Sequence, residues 1–341
     1  MTSATDSRAD TAALLDINDL HVQFRTGREL VKAVNGVSFR VFAGETMAIL
    51  GESGSGKSVT MAAVMRLLAS PPAYIEATHV QLNGEDVLGL PLADWRARCG
   101  RDVGMVFQDA LAALNPVFSV GWQLAETFAV HGIAHGRDAQ ERAVELLSIV
   151  GIPDAQQRAG DYPHQFSGGM RQRVMIAMAV ALDPMLLIAD EPTTALDVTV
   201  QAQIMELLDR LQAERNMAIV LITHDLGVVA EAADRVAVMY AGRVVESGTV
   251  KDVLTHPRHP YTRALLNSIP DPNESSLSPI IGSPPDMANL PSGCPFRPRC
   301  SFATDQCANE EPAIRDAGVN DHHSACHHFE QLIALEVNGN G

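Results

Sequence analysis

Between residues 17 and 50, short alternating runs of apolar and polar positions predict three strands, Ile17–Phe24, Lys32–Val41 and Thr46–Leu50, the last leading directly into a glycine-rich loop. Ser58–Leu68 then reads as a helix. From about 110 to 165 the pattern becomes that of polar-faced helices, notably Asp138–Val150, which Gly151 and Pro153 close. Met170–Leu182 reads as a long apolar helix and Met185–Ala189 as a buried strand; Val200–Arg215 and Ala218–Thr223 follow as helix and strand. Strands alternating with helices predict an α/β fold with a parallel sheet covered on both faces.

Asn267–Gly293 contains six prolines among many serines and predicts a surface linker. A tail bearing four of the five cysteines follows it. At 341 residues, 46% apolar and 19% charged, the chain has material for a large core and a smaller appendage. The longest apolar run, Val174–Leu182, has nine residues, against the roughly 20 of a membrane span. The N-terminus shows no cationic start followed by an apolar stretch, so a cytosolic chain without an export signal is expected. Twenty-five Lys plus Arg against 41 Asp plus Glu give a net charge of −16, which argues against nucleic acid as a partner and makes any phosphate site a local device.

Gly51-Glu52-Ser53-Gly54-Ser55-Gly56-Lys57-Ser58 fits G-x-x-x-x-G-K-[ST] between an apolar strand and a helix. Its glycines let backbone N–H groups wrap an anion, Lys57 adds a point charge and Ser58 a hydroxyl for Mg²⁺. A dinucleotide fingerprint fits less well, because Val59 stands where its third glycine belongs. The strand Met185–Ala189 ends in Asp190 and Glu191; the first is expected to hold Mg²⁺ through water, the second to polarise an attacking water. Ser167-Gly168-Gly169-Met170, with Ser167 as N-cap, forms a second candidate anion cradle.

In order along the chain, Gly51–Ser58, Gln108, Phe166–Met170, Met185–Glu191, Ala195–Asp197 and His224 resemble the Walker A, Q-loop, signature, Walker B, D-loop and switch histidine of ABC transporter ATPases. Phe166–Ala179, Ala189–Thr199 and His259-Pro260-Tyr261-Thr262 narrow the resemblance to subunits of dipeptide/oligopeptide importers. The resemblance implies a P-loop NTPase (RecA-like) core with an antiparallel β subdomain and a helical subdomain at about 110–170, within a nucleotide-binding domain over 15–255. A flexible N-terminus over 1–14, an extension and linker over 256–293, and a cysteine-ligated region over 294–341 would complete the chain. ATP would be bound by Gly51, Glu52, Ser53, Gly54, Ser55, Gly56, Lys57, Ser58, Val59 and Gln108, with Phe24 on the adenine and Mg²⁺ on Ser58, Gln108 and Asp190. Glu191, His224 and Lys57 would be catalytic. Ser167, Gly168, Gly169 and Met170 would complete the ATP site of a second cassette, linked through Asp197. Met170 replaces the glutamine of the general signature, a variant usual in this branch.

The implied partners are a second, homologous but non-identical ATPase, two membrane permease subunits and, indirectly, an extracytoplasmic solute-binding protein. The implied place is the cytoplasmic face of a bacterial inner membrane. Gln108 and the apolar stretch Leu111–Phe128, with Phe118 and Trp122, would report nucleotide state to the permease, or that aromatic pair is ordinary core. The competing readings are an importer ATPase for nickel or another small solute, a soluble ATPase acting on nucleic acid, and a redox-sensing ATPase.

Cys294, Cys300, Cys307 and Cys326 suit either Zn²⁺ or an iron–sulfur cluster; the spacing leaves the two tied, with His322, His323, His327 and His328 as alternative ligands. The family resemblance implies [4Fe-4S]. Cys99 stands apart and is expected to be a small buried apolar residue.

Overall fold

The structure is a computed structural model that describes residues 12–27, 29–268, 280–318 and 321–333. The expected flexible N-terminus falls largely outside the described residues, as does the proline-rich stretch 269–279. The chain divides into two compact units. One holds Met1–Phe42, Thr46–Leu88 and Thr223–Gly341; the other holds Ala43–Glu45 and Gly89–Ile222.

In the first unit, Leu15–Thr26 and Glu29–Val41 form a long antiparallel hairpin, with Leu15 opposite Val41 and Thr26 opposite Glu29. His79–Leu82 and Ala73–Glu76 also pair antiparallel with Leu15–Thr26, and Glu85–Asp86 pairs with His79–Leu82. Both strands of the hairpin run beyond the predicted limits. Their buried positions, among them Leu15, Ile17, Leu20, Val22, Val34 and Val37, recur with the half-buried alternation of a sheet that has one wet face.

A second sheet region of this unit has Thr46–Leu50 parallel to Arg235–Tyr240, which pairs antiparallel with Arg243–Thr249. All five residues of Thr46–Leu50 are buried, as a strand covered on both faces requires. The chain then turns into the helix Lys57–Val64, which ends four residues before the predicted Leu68. Residues 256–268, read from sequence as the start of an extension, are built into this core. Helix Pro260–Asn267 places Tyr261 at zero exposure among Leu50, Val229, Tyr240 and Phe296. Burial holds the His259 imidazole down at about 3, so its neutral Nδ1 accepts from the Tyr261 N–H at the start of that helix. The cysteine tail also packs here: His323–Ser324 adds to the edge of Arg243–Thr249 and pairs with Arg315–Asp316.

In the second unit, Val103–Val106, Leu186–Asp190 and Ala218–Thr223 run parallel, with Leu186–Asp190 central. The helical insert consists of Ala110–Ala113, Val120–Val130, Gly136–Ile149 and Ala155–Arg158. The apolar helix Gly168–Val180 lies so close to Val103–Val106 that a Cβ on Gly104 would fall 2.2 Å from the Ala179 carbonyl oxygen. That strand has only four residues with a glycine inside it, which removes the alternating signal by which a strand is read.

Candidate functional site

The phosphate loop is in the first unit. It leaves Thr46–Leu50 through Gly51 and enters Lys57–Val64 through Gly56, whose φ of 101° is open to glycine and strained for other residues. A Cβ would fall 2.3 Å from the Met239 oxygen at Gly51 and 2.5 Å from the Ala33 oxygen at Gly56, so backbone packs on backbone at both ends of the loop. Lys57 is 5% exposed, and its ammonium donates to the Gly51 oxygen at 2.7 Å and the Glu52 oxygen at 3.0 Å, which holds it inside the curve of the loop. Ser53 and Gly54 are exposed, Ser55 and Gly56 buried, and Glu52, Ser58 and Val59 half-buried.

Two contacts from the far end of the sequence reach this loop. The Glu52 N–H donates to the Tyr261 hydroxyl at 2.9 Å, and the Glu52 carboxylate takes both arms of the Arg299 guanidinium at 2.7 and 3.1 Å. Neither was legible as a site residue: Tyr261 and Arg299 lie 209 and 247 positions from Glu52, and no motif marks Arg299. Phe24 sits half-buried in Leu15–Thr26, opposite Val31 and Ala73. His224 is exposed immediately after the strand Ala218–Thr223, and Asp225 caps the next helix by accepting from Gly227 and Val228.

In the second unit, Asp190 is the buried last residue of Leu186–Asp190. Glu191 follows with φ 45°, a left-handed conformation that turns the chain sharply at the strand end. Its N–H donates to the Ile222 oxygen at 2.9 Å. One carboxylate oxygen, Oε2, accepts from Gln108 Nε2 at 2.9 Å and from Thr194 Oγ1 at 2.9 Å. Gln108 and Glu191, 83 residues apart, are thus brought together, and Thr194 is a third member that the sequence reading did not single out. These two donors favour the ionised carboxylate, the form that can accept a proton from water.

The Ser167 hydroxyl accepts from the Met170 N–H at 3.3 Å and caps Gly168–Val180. Asp197 caps the neighbouring helix Val198–Arg215 by accepting from the Val200 N–H at 3.0 Å. A Cβ on Gly169 would fall 2.6 Å from Val200 Cγ1, so the two helix starts pack directly on each other. Phe118 and Trp122 stack with centroids 4.1 Å apart. Both are exposed, at 39% and 40%, as are Leu111 and Val117 of the same stretch; ordinary core is therefore the wrong reading of the pair.

The four tail thiols, Cys294, Cys300, Cys307 and Cys326, line one cavity in the first unit. Backbone N–H groups of Phe302 and His328 point at Sγ of Cys300 and Cys326, at 3.4 and 3.3 Å. Burial raises the Cys294 thiol and pushes Cys300 to about 11 and Cys326 to about 12. Among the described residues, no three His, Cys, Asp or Glu side chains are gathered closely enough to hold a single metal ion. The alternative histidine ligands have other bonds: His322 is buried on Glu246 at 2.7 Å, His323 meets the Asp321 oxygen, His327 the Glu310 oxygen and His328 the Thr304 hydroxyl. Cys99, expected to be buried, is only half-buried in the second unit, its thiol raised chiefly by that partial burial.

A glycine-framed phosphate loop after a buried strand, with an acidic pair closing another, defines a nucleotide-binding cassette. Residues 34–194 match the ABC transporter family, and residues 245–307 match the oligopeptide/dipeptide transporter C-terminal region. The oligopeptide transport ATP-binding protein OppD of Bacillus subtilis is 50% identical over 304 residues, covering 88% of this chain and 85% of that protein. The dipeptide transport ATP-binding protein DppD of Haemophilus influenzae is 49% identical over 308 residues, covering 90% and 93%. A dimeric bacterial ABC transporter cassette superposes with a TM-score of 0.61 at 28% identity, covering 69% of this chain and 98% of that one. The chain belongs to the ABC transporter ATP-binding family, in the branch of the oligopeptide and dipeptide transport proteins.

Proposed function

We propose that this chain is the ATP-hydrolysing subunit of an importer for di- and oligopeptides, with the nucleotide-binding domain at 15–255, its helical subdomain near 110–170, an extension and linker over 256–293 and the cysteine region over 294–341. The observation that supports this most is the coexistence of the cassette motifs with the peptide-transporter C-terminal region in one chain.

The backbone donors of Gly51–Ser58 and the Lys57 ammonium receive the phosphates of ATP, in a loop whose curvature already encloses a positive charge. Phe24, in the same unit, supplies the adenine platform. Ser58, Gln108 and the buried Asp190 carboxylate would hold Mg²⁺; an acidic group buried at a strand end suits a cation. When bound, that ion neutralises charge on the phosphate oxygens. Glu191, ionised and oriented by Gln108 and Thr194, polarises the attacking water, and His224 contacts the γ-phosphate side. Ser167, Gly168, Gly169 and Met170 offer a capped helix N-terminus to the ATP of a second cassette, a non-identical homologue, with Asp197 beside them.

Two permease subunits and, through them, a solute-binding protein complete the importer, at the cytoplasmic face of a bacterial inner membrane. The exposed, stacked pair Phe118 and Trp122 supports permease docking, since exposed apolar surface is costly when left in water. Among the described residues no helix is long and apolar enough to cross a membrane. The test is affinity purification of the tagged chain from detergent-solubilised membranes. Recovery with two membrane-spanning proteins and a second ATPase is expected; recovery with nucleic acid alone would overturn the proposal.

The cysteine tail is proposed to hold a [4Fe-4S] cluster. Four thiols share one cavity, and backbone donors are aimed at two of the sulfurs, where thiolate charge would be stabilised. Burial raises the Cys294, Cys300 and Cys326 thiols, which stay protonated unless a cation displaces the protons. The choice of a cluster over one zinc ion rests on the resemblance to peptide-importer subunits, since the cysteine spacing suits both. Anaerobic purification should yield brown protein with about four irons per chain, the count of one [4Fe-4S] cluster. Colourless protein carrying stoichiometric zinc would reverse the choice.

A further inference from the structure

We infer that Arg299 is a positioning residue for nucleotide binding, acting on the phosphate loop through Glu52. The inference rests on the reading of Gly51–Ser58 as the ATP site and adds a residue to it from outside the cassette motifs.

Glu52 is the second residue of the phosphate loop, and its carboxylate places negative charge where a triphosphate must approach, in a protein of net charge −16. Arg299 meets that carboxylate with a two-armed, charge-assisted pair at 2.7 and 3.1 Å, which neutralises it and fixes its direction. The guanidinium is 4% exposed, so it is locked in place. Its Nε donates to the Ile281 oxygen at 3.0 Å, and its plane lies near the rings of Tyr240 and Phe296, 5.8 and 5.9 Å from their centroids. Those rings belong to a packed aromatic group: Tyr240 and Tyr261 lie 4.7 Å apart, Tyr240 and Phe296 5.2 Å. Tyr261, from that group, accepts the Glu52 N–H. The loop's second residue is therefore gripped by side chain and backbone together. Pro284, Pro285 and Met287 border the same small cavity as Glu52 and Ser55.

Arg299 closes the short helix Arg297–Arg299 and directly precedes Cys300, while Cys294 lies three residues before that helix. The cysteine-bearing turn consequently sets where the guanidinium stands. This gives the C-terminal region a mechanical link to the phosphate loop, separate from any role in assembly.

The test is Mg·ATP binding by the full-length chain, with Arg299→Ala, Glu52→Ala, the double variant, and Tyr261→Phe. Arg299→Ala should raise the Kd about five- to tenfold, because an uncompensated carboxylate then faces the triphosphate. In the Glu52→Ala background the same change should alter Kd less than twofold, since the group through which Arg299 acts is gone. Tyr261→Phe, which removes one hydroxyl and keeps the packing, should raise Kd about two- to threefold, and it serves if Arg299→Ala does not fold. Unchanged Kd in Arg299→Ala and Tyr261→Phe, or an Arg299→Ala effect of equal size with and without Glu52, would overturn the inference. Lys57→Ala run alongside separates the two failures: if it too binds ATP normally, it is the reading of the loop as the ATP site that fails.

Discussion

Glu191→Gln should bind Mg·ATP within about twofold of the wild type while its hydrolysis falls by about 10²- to 10⁴-fold, the usual contribution of a positioned general base. Glutamine keeps the shape of the side chain and an oxygen that can accept from Gln108 and Thr194, so the turn at φ 45° and its bond to Ile222 should survive. What disappears is the carboxylate able to take a proton from water. Phosphate release in the assembled complex measures the loss, and a nucleotide-binding isotherm shows that the site is intact. Wild-type turnover in this variant would remove Glu191 from the chemistry.

Lys57→Ala is expected to weaken Mg·ATP binding by about 10- to 100-fold, the equivalent of a charge-assisted hydrogen bond worth about 1.5–3 kcal/mol. The ammonium already sits inside the loop, bonded to the Gly51 and Glu52 carbonyls, so it is delivered to the phosphates without searching many rotamers. In a chain of net charge −16 the attraction for phosphate has to come from the loop itself. Equilibrium titration with a fluorescent ATP analogue is the appropriate readout, and unchanged affinity would move the phosphate site elsewhere.

Both predictions concern residues legible in the sequence, for a physical reason: their structural context is local. Thr46–Leu50 is wholly apolar, the glycines follow at once, and helix Lys57–Val64 begins within the motif. The same holds for Leu186–Asp190 with its acidic end and for Ser167 before Gly168–Val180. Contacts that cross the sequence left no such trace. Nothing near Arg299 announces that its partner is Glu52, and Thr194 gains its role only because Gln108 meets the same oxygen of Glu191. Val103–Val106 hid behind Gly104, whose missing side chain is a packing requirement against Ala179. Exposure was also beyond the pattern: Phe118 and Trp122 read as core or as contact surface equally well until their 39% and 40% exposure decided it. The packing of the tail was equally unannounced: it buries Phe296 against Tyr240 and Tyr261 and pairs a strand with Arg243–Thr249.

The central claim is that ATP joins two cassettes, the Ser167 helix start of one meeting the nucleotide held by Lys57 of the other. The most direct measurement is the mass in solution of the Glu191→Gln chain together with its partner ATPase, by light scattering, with and without Mg·ATP. The account predicts a dimeric mass with nucleotide that reverts to monomers when Ser167 is replaced by Arg. A monomeric mass at saturating ATP, together with wild-type hydrolysis per chain that stays constant on dilution, would contradict it.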